Sequence, residues 1–236
     1  MKPNKLNNAI LLVSDITKGM KSIGSKSLLP ISKTSTVIEH QIQYLKKFYN
    51  PINIYVCVGF EHEKITKVIN RYNNVHCIYH DAYETDNQTG GLIHCLKNIN
   101  INNAFVINNG VLLSDKLPID LKFTNIFITS KSTKINFDVG SSSPTDTKYL
   151  FYDLPNKWLE CIFLNSESIE KILEISQKTY YKKLFLFEMV NLLIENGIKI
   201  QTNNIKNNLP IKINSIKDLS AAKKIYEKHL HNKIKK

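Results

Sequence analysis

Residues 19–27 read Gly19-Met-Lys-Ser-Ile-Gly24-Ser25-Lys26-Ser27. Glycines that let backbone approach an anion, hydroxyls and a lysine are the parts of a phosphate cradle. The spacing is one residue longer than in a Walker A loop, where the lysine directly follows the second glycine. A P-loop must also open a helix, because the helix N-terminus holds the phosphate. Here Leu28-Leu29-Pro30-Ile31 follows, and Pro30 removes a donor and disfavours helix immediately before it. The segment is therefore not a P-loop, and Lys26 is left as a phosphate-facing candidate on a loop. The four cysteines, Cys57, Cys77, Cys95 and Cys161, form no Cys-x-x-Cys pair, which excludes a zinc ribbon and a thioredoxin-type dithiol. They are expected to be reduced thiols of the core.

The elements around this loop alternate. Residues 8–13 read as a buried strand, 36–49 as a helix with Thr36 and Glu39 as its capping box, and 52–60 as a strand. A helix over 61–72, a strand over 75–79, a helix through Leu92, Ile93, Cys95 and Leu96, and strands at 104–109 and 125–129 follow. Such alternation predicts an α/β, Rossmann-like, mostly parallel sheet covered by helices on both faces. Ligands of such sheets sit at the carboxyl ends of the strands, here after Val13, Tyr79 and Asn109. The second half is less regular. Residues 130–146 read as an excursion rich in Ser, Thr and Lys, and 158–164 as a strand. Ser166 is expected to cap a helix through Ile169, Ile172 and Leu173, and a helix over 183–196 to end at Gly197. Short strands at 198–200 and 211–213 and a terminal helix over 216–230 complete the pattern. No linker or internal repeat divides the 236 residues, so one domain is expected.

The formal net charge is +12, yet Arg71 is the sole arginine among 32 basic residues. Arginine supplies the planar fork that reads phosphates and guanine edges, so this balance argues against nucleic acid as the partner. Abundant Lys, Asn and Ile, with A/T-rich codons, point instead to an A/T-rich genome or its phage. No apolar run reaches the roughly 18 residues of a membrane helix, and Ala9-Ile-Leu-Leu-Val13 is too short for a signal peptide. A cytoplasmic protein without membrane association is expected.

Several stretches, taken in order, resemble the sugar-phosphate and choline-phosphate nucleotidyltransferases. They are Ala9-Ile-Leu-Leu-Val-Ser-Asp15, Lys18-Gly19-Met20, Ser25-Lys-Ser-Leu-Leu-Pro-Ile31 and Val37-Ile-Glu-His40. Ile54-Tyr-Val-Cys-Val-Gly-Phe60 is similar to the family's second strand, and Gln88-Thr-Gly-Gly-Leu92 to its base-recognition loop. Asn108-Asn109-Gly110-Val111 resembles the Asn-Gly-Asp-Val strand end, and residues 195–200 and 212–219 resemble the closing stretches. The fold this implies is GT-A-type with an elaborated C-terminal part. Residues 1–130 would form the nucleotide-binding half and 131–236 the acceptor-binding half. The activity implied is transfer of a nucleoside monophosphate from an NTP to a sugar phosphate or choline phosphate, with release of pyrophosphate. Glycosyltransferases of similar fold place an Asp-x-Asp motif after a central strand, and this chain has none.

By the same resemblance Lys26 falls on the signature lysine that contacts the phosphates. Val13, Ser14, Asp15, Lys18, Lys21, Gln88, Thr89, Gly90 and Asn109 fall on the nucleotide side, with Lys18 or Lys21 in place of a lost arginine. Lys157 is placed toward the acceptor phosphate. The family's two magnesium-binding aspartates fall on Gly110 and Asn214, with Lys212 in place of a glutamate. Glycine offers no ligand oxygen and asparagine only a neutral carbonyl, whereas Mg2+ wants carboxylates. An active protein would therefore use Mg2+ with Asp15 as a substitute ligand. The alternative is weak or lost activity: a non-catalytic binder of a nucleotide or nucleotide-sugar, or a partner subunit on the same fold.

Overall fold

Asn8-Ala-Ile-Leu-Leu12 is buried at every position, as a strand covered on both faces must be. It is β1 of a computed structural model that describes residues 5–16, 21–130, 138–206 and 210–234, the last stretch as backbone alone beyond residue 225. After β1 come α1 (Val37–Tyr49), β2 (Asn53–Val58), α2 (His62–Ile69), β3 (Val75–Tyr79), α3 (Gln88–Asn98), β4 (Ala104–Asn108), β5 (Val111–Leu112) and β6 (Thr124–Thr129). The second half adds β7 (Val139–Ser141), β8 (Phe151–Tyr152), β9 (Asn156–Leu164), α4 (Ser166–Ile175), α5 (Leu186–Glu195), β10 (Ile200–Asn204), β11 (Ile211–Lys212) and α6 (Ile216–Ile234).

The large sheet has the order β10-β6-β9-β4-β1-β2-β3. The pairs β1–β2, β1–β4, β2–β3 and β10–β6 are parallel, and β9 runs antiparallel between β4 and β6. The fold is the expected mostly parallel, Rossmann-like sheet flanked by helices. Alternate residues of β1 feed opposite faces. Leu11 packs with Ile38, Ile42 and Leu45 of α1, whereas Ile10 and Leu12 pack with α3 and α5. A smaller cluster of Leu29, Ile31, Leu112, Ile213 and Leu219 lies under the two-stranded β5–β11 sheet and α6.

The ends of α1 follow the sequence. Glu39 reaches back to the Thr36 N–H at 2.9 Å, as a capping box requires. The same carboxylate is bound by Arg71 and by the Tyr72 hydroxyl, so the chain's sole arginine ties α1 to the segment after α2. Elsewhere the elements shift. Asn165, not Ser166, caps α4: it stands in extended conformation and accepts from the Ser168 N–H at 3.0 Å. Residues 179–183 form a 3-10 segment, so α5 begins at Leu186 and not at 183. The strand expected at 198–200 is β10, which is more polar, starts at Ile200 and is held by pairing with β6 rather than by an apolar face. The expected excursion at 130–146 is in part strand, since β7 pairs with β8 and β9; residues 131–137 lie outside the described residues. Cys57, Cys95 and Cys161 are buried, but Cys77 is exposed because β3 is the edge strand.

β9 carries the main irregularity. Ile126 pairs with Ile162 and Ile128 with Trp158, so β9 spends two residues more than β6 over that interval. Inside this bulge Glu160 takes a left-handed φ of +50°. A non-glycine residue there is costly and marks a position fixed by its surroundings.

Candidate active site

Lys26, Asp15, Glu160 and Lys212 lie close together past the carboxyl ends of the central strands. Lys26 opens a 3-10 turn, Lys26–Leu28, and is 5% exposed. Its loop is docked on the start of α2: the Ser25 N–H donates to the Glu61 carboxylate, and Ser25 and Ser27 bond each other at 2.7 Å. Gly24 has φ +89°, and a Cβ on it would lie 2.8 Å from Glu61 Oε2, so this close turn requires glycine. The Lys26 stem crosses Gly110, whose φ is +80°. Burial pushes the Lys26 ammonium below the ordinary lysine range; Asp15 is the main charge opposing this, Lys212 adds to it, and Glu160 and Asp218 oppose it.

A continuous polar chain runs beneath. Lys212 is ion-paired with Glu160 Oε1, and Asn108 Nδ2 donates to Glu160 Oε2 at 2.9 Å. Asn108 Oδ1 accepts from the Asn109 N–H at 3.0 Å, and Asn109 Nδ2 donates to Asp15 Oδ1 at 2.9 Å. Gln41 of α1 donates to the carbonyls of Asn108 and Val111, fixing the turn between β4 and β5.

Two adjoining cavities open on this floor. One, of about 280 Å3, is lined by Asp15, Ile16, Lys26, Asn87, Gln88, Asn108, Phe185, Lys212 and Asn214. The other, of about 210 Å3, is lined by aromatic Tyr152, Trp158, Phe185 and Phe187, by the carboxylates Asp138 and Glu160, and by Gln88, Asn108, Val139, Leu186 and Lys212. Tyr152 meets Phe187 edge-on at 5.2 Å, and Phe185 stacks on Phe187 at 6.0 Å.

Of the residues singled out in the sequence, Asp15, Lys26, Gln88 and Asn214 line the larger cavity, and Asn109 lies beneath it on Asp15. Thr89 is fully buried and donates to the Phe185 carbonyl at 3.1 Å. Gly90 packs against Asp86, a Cβ there falling 2.5 Å from the Asp86 Cβ. Val13 and Ser14 are buried, Lys21 is exposed, and none of the three is a lining residue. Lys157 is half-buried, pairs with Thr129 and Gly140 in the sheet and lines neither cavity. Lys18 lies outside the described residues. Ser215, not Asp218, caps α6: its hydroxyl accepts from the Asp218 N–H, while the Asp218 carboxylate reaches back to accept from the Asn214 N–H. The sequence reading missed Glu160; its one signal was a lone carboxylate inside the apolar run Trp158-Leu-Glu-Cys-Ile-Phe-Leu164.

Mg2+ takes six oxygens, mostly water or substrate, with one or two protein carboxylates. Asp15 supplies one such carboxylate to the larger cavity. Gly110 supplies none, and both oxygens of Glu160 are engaged by Lys212 and Asn108. The donor set fits an ion borne mainly by substrate oxygens, not one held by the protein alone.

No protein-family model matches the chain, and no curated protein matches it. Solved structures do. CTP:phosphocholine cytidylyltransferase from Streptococcus pneumoniae is similar over 94% of this chain and 100% of its own, with a TM-score of 0.74 and 20% identity. The inositol-1-phosphate CTP transferase from T. maritima is similar over 95% of each chain, with a TM-score of 0.75 and 13% identity. The nucleoside-diphosphate-sugar pyrophosphorylase from Vibrio cholerae RC9 is similar over 92% of this chain and 99% of its own, with a TM-score of 0.73 and 10% identity. This chain has the nucleotidyltransferase fold. Within that fold Lys26, Asp15 and Gln88 stand together where β1 and the start of α3 meet, and Glu160 and Lys212 stand where the second half closes on them. Among the described residues no helix is long and apolar enough to cross a membrane.

Proposed function

We propose that the chain binds a nucleoside triphosphate in the larger cavity and transfers its nucleoside monophosphate to a phosphorylated small molecule in the smaller one. The observation that carries this reading is the buried Lys26 ammonium set beside Asp15, with Lys212 lining both cavities. An oxygen of the acceptor phosphate attacks the α-phosphorus in line. The α–β phosphoanhydride bond breaks, and pyrophosphate leaves with the bonding electron pair. A phosphate monoester is largely dianionic at neutral pH, so the attack needs no general base. Lys26 and Lys212 oppose the negative charge that gathers on both sides of the transferred phosphorus. Magnesium bound with the triphosphate would be held by Asp15 and would supply further neutralisation of the phosphate oxygens. Gln88, at the start of α3, would face the base.

Residues before 130 supply most of the larger cavity and residues after 130 most of the smaller, which supports the division into nucleotide and acceptor halves. The smaller cavity favours choline phosphate over a sugar phosphate. Aromatic faces with the Asp138 carboxylate nearby suit a quaternary ammonium, and a sugar would ask for more hydroxyl-binding groups. We place the reaction in the cytoplasm, where nucleoside triphosphates are available.

The test is pyrophosphate release from each common NTP with choline phosphate or sugar 1-phosphates, with Mg2+ or chelator, and with Lys26→Ala as control. Release with choline phosphate that is lost in Lys26→Ala supports the reading. One observation favours a second reading, that of a non-catalytic nucleotide binder: Glu160, the carboxylate nearest Lys212, is already neutralised by it. Thermal stabilisation by a nucleotide without any release would select that reading. Neither release nor stabilisation would overturn both.

A further inference from the structure

Behind the proposed base-facing segment, on the far side of Gly90, lies a second cluster with different chemistry. His80 directly follows β3, and its backbone N–H is held by the Val58 carbonyl at 2.9 Å. The residue is 2% exposed, and neither ring nitrogen makes a hydrogen bond. Leaving both imidazole nitrogens buried without a hydrogen bond is costly, and such a group calls for an explanation. Its neighbours supply one. The His94 ring of α3 lies 4.9 Å away between centroids. His80, Asp81 and His94 each place one potential donor atom so that all three lie within 4.8 Å of one another. Asp86 Oδ2, itself buried without a hydrogen bond, lies 3.4 Å from His80 Nε2.

We propose that His80, Asp81 and His94 bind a divalent transition-metal ion of the zinc type. Two imidazoles and one carboxylate are the ligand set of such an ion, leaving a fourth tetrahedral position for water. The hard ions Mg2+ and Ca2+ prefer oxygen alone, so this site is chemically separate from the phosphate cleft. Donors held about 2.0–2.1 Å from zinc stand roughly 3.3 Å apart, closer than the 4.8 Å limit observed. Asp81 is exposed and His94 half-buried, so both have room to close on the fixed His80 ring. Asp86 stands where a carboxylate that orients a metal-bound imidazole would stand. The bound ion would join the end of β3 to the second turn of α3 and so clamp residues 81–87, the segment that leads into Gln88.

The test uses the full chain stripped with chelator and titrated with Zn2+ and, separately, with Mg2+. Bound metal is counted by elemental analysis after gel filtration. One equivalent of zinc and a raised thermal midpoint, with no such effect of Mg2+, are expected. His94→Gln and Asp81→Asn should each weaken zinc binding at least tenfold while the metal-free chain keeps its far-UV spectrum and thermal midpoint. His76→Gln, an exposed histidine on β3 outside the cluster, should bind zinc as the parent does. Less than stoichiometric zinc would overturn the proposal, and so would full binding by the His94→Gln, Asp81→Asn double variant.

Discussion

Lys212 of β11 is ion-paired with Glu160, which stands in the bulge of β9 at a left-handed φ of +50°. The pair joins the large sheet to the small one; Lys212 lines both cavities and Glu160 the smaller one. Its side chains keep 14% and 7% of their exposure, so neither charge is fully hydrated.

Removing one member should therefore leave the other stranded. Glu160→Gln is expected to destabilise the fold by about 3 kcal/mol, the low end for a buried pair because Lys212 is not fully enclosed. Urea unfolding of Glu160→Gln, Lys212→Met and the double variant measures the coupling. A coupling above roughly 1 kcal/mol is expected; additive effects would mean that the two side chains act independently.

Gly110 invites an attempt to introduce a carboxylate by Gly110→Asp. A Cβ there would lie 2.8 Å from both the Ile213 carbonyl and the Lys26 Cδ, at φ +80°. The expected result is a loss of roughly 1–3 kcal/mol of stability and no gain in magnesium dependence of pyrophosphate release. A stable variant with a new metal dependence would contradict this geometry.

Burial lowers the Lys26 pKa from its ordinary 10.5. Between the folded value and 10.5 the unfolded chain holds a proton that the folded chain has lost. Lys26 thus makes stability rise with pH across that window, and its penalty returns in full as pH falls below the folded value. Lys26→Met should remove this component, making the stability curve flatter than the parent's by up to about 1.4 kcal/mol per pH unit. Parallel curves would show that the ammonium is not desolvated.

Tyr152 is 43% exposed at the aromatic wall of the smaller cavity. If that wall holds a quaternary ammonium, Tyr152→Leu should raise KM for choline phosphate about 2- to 30-fold, the loss of about 0.5–2 kcal/mol of cation–π attraction. The KM for the nucleotide should stay within twofold. Equal effects on both substrates would place Tyr152 elsewhere in the mechanism.

The strand-and-helix alternation was legible because β1, β2 and β4 are apolar runs bounded by polar loops, and α1 announces itself through Thr36 and Glu39. β10 was misplaced because Gln201, Thr202, Asn203 and Asn204 carry no apolar pattern; pairing with β6 decides their conformation. Lys26 and Asp15 stood out because they follow the first strand in sequence as well as in space. Glu160 did not, because its role depends on two surplus residues in β9, and a bulge is set by register between strands and not by local composition. Cys77 looked like a core residue because local hydropathy does not reveal which strand is the edge.

Arg71, just after α2, is paired with Glu39 of α1, and the chain has no second guanidinium. Every cation that lines the two cavities is therefore an ammonium. An ammonium is a compact point charge that accepts a phosphate from many directions, whereas a guanidinium imposes a planar, two-pronged fit. On the proposed reading the cleft would hold its anions while exerting little control over their rotation. Selectivity among phosphate esters must then reside in whatever is esterified, so chemical labelling of the pocket belongs to amine-directed acylating reagents and not to dicarbonyls that seek arginine.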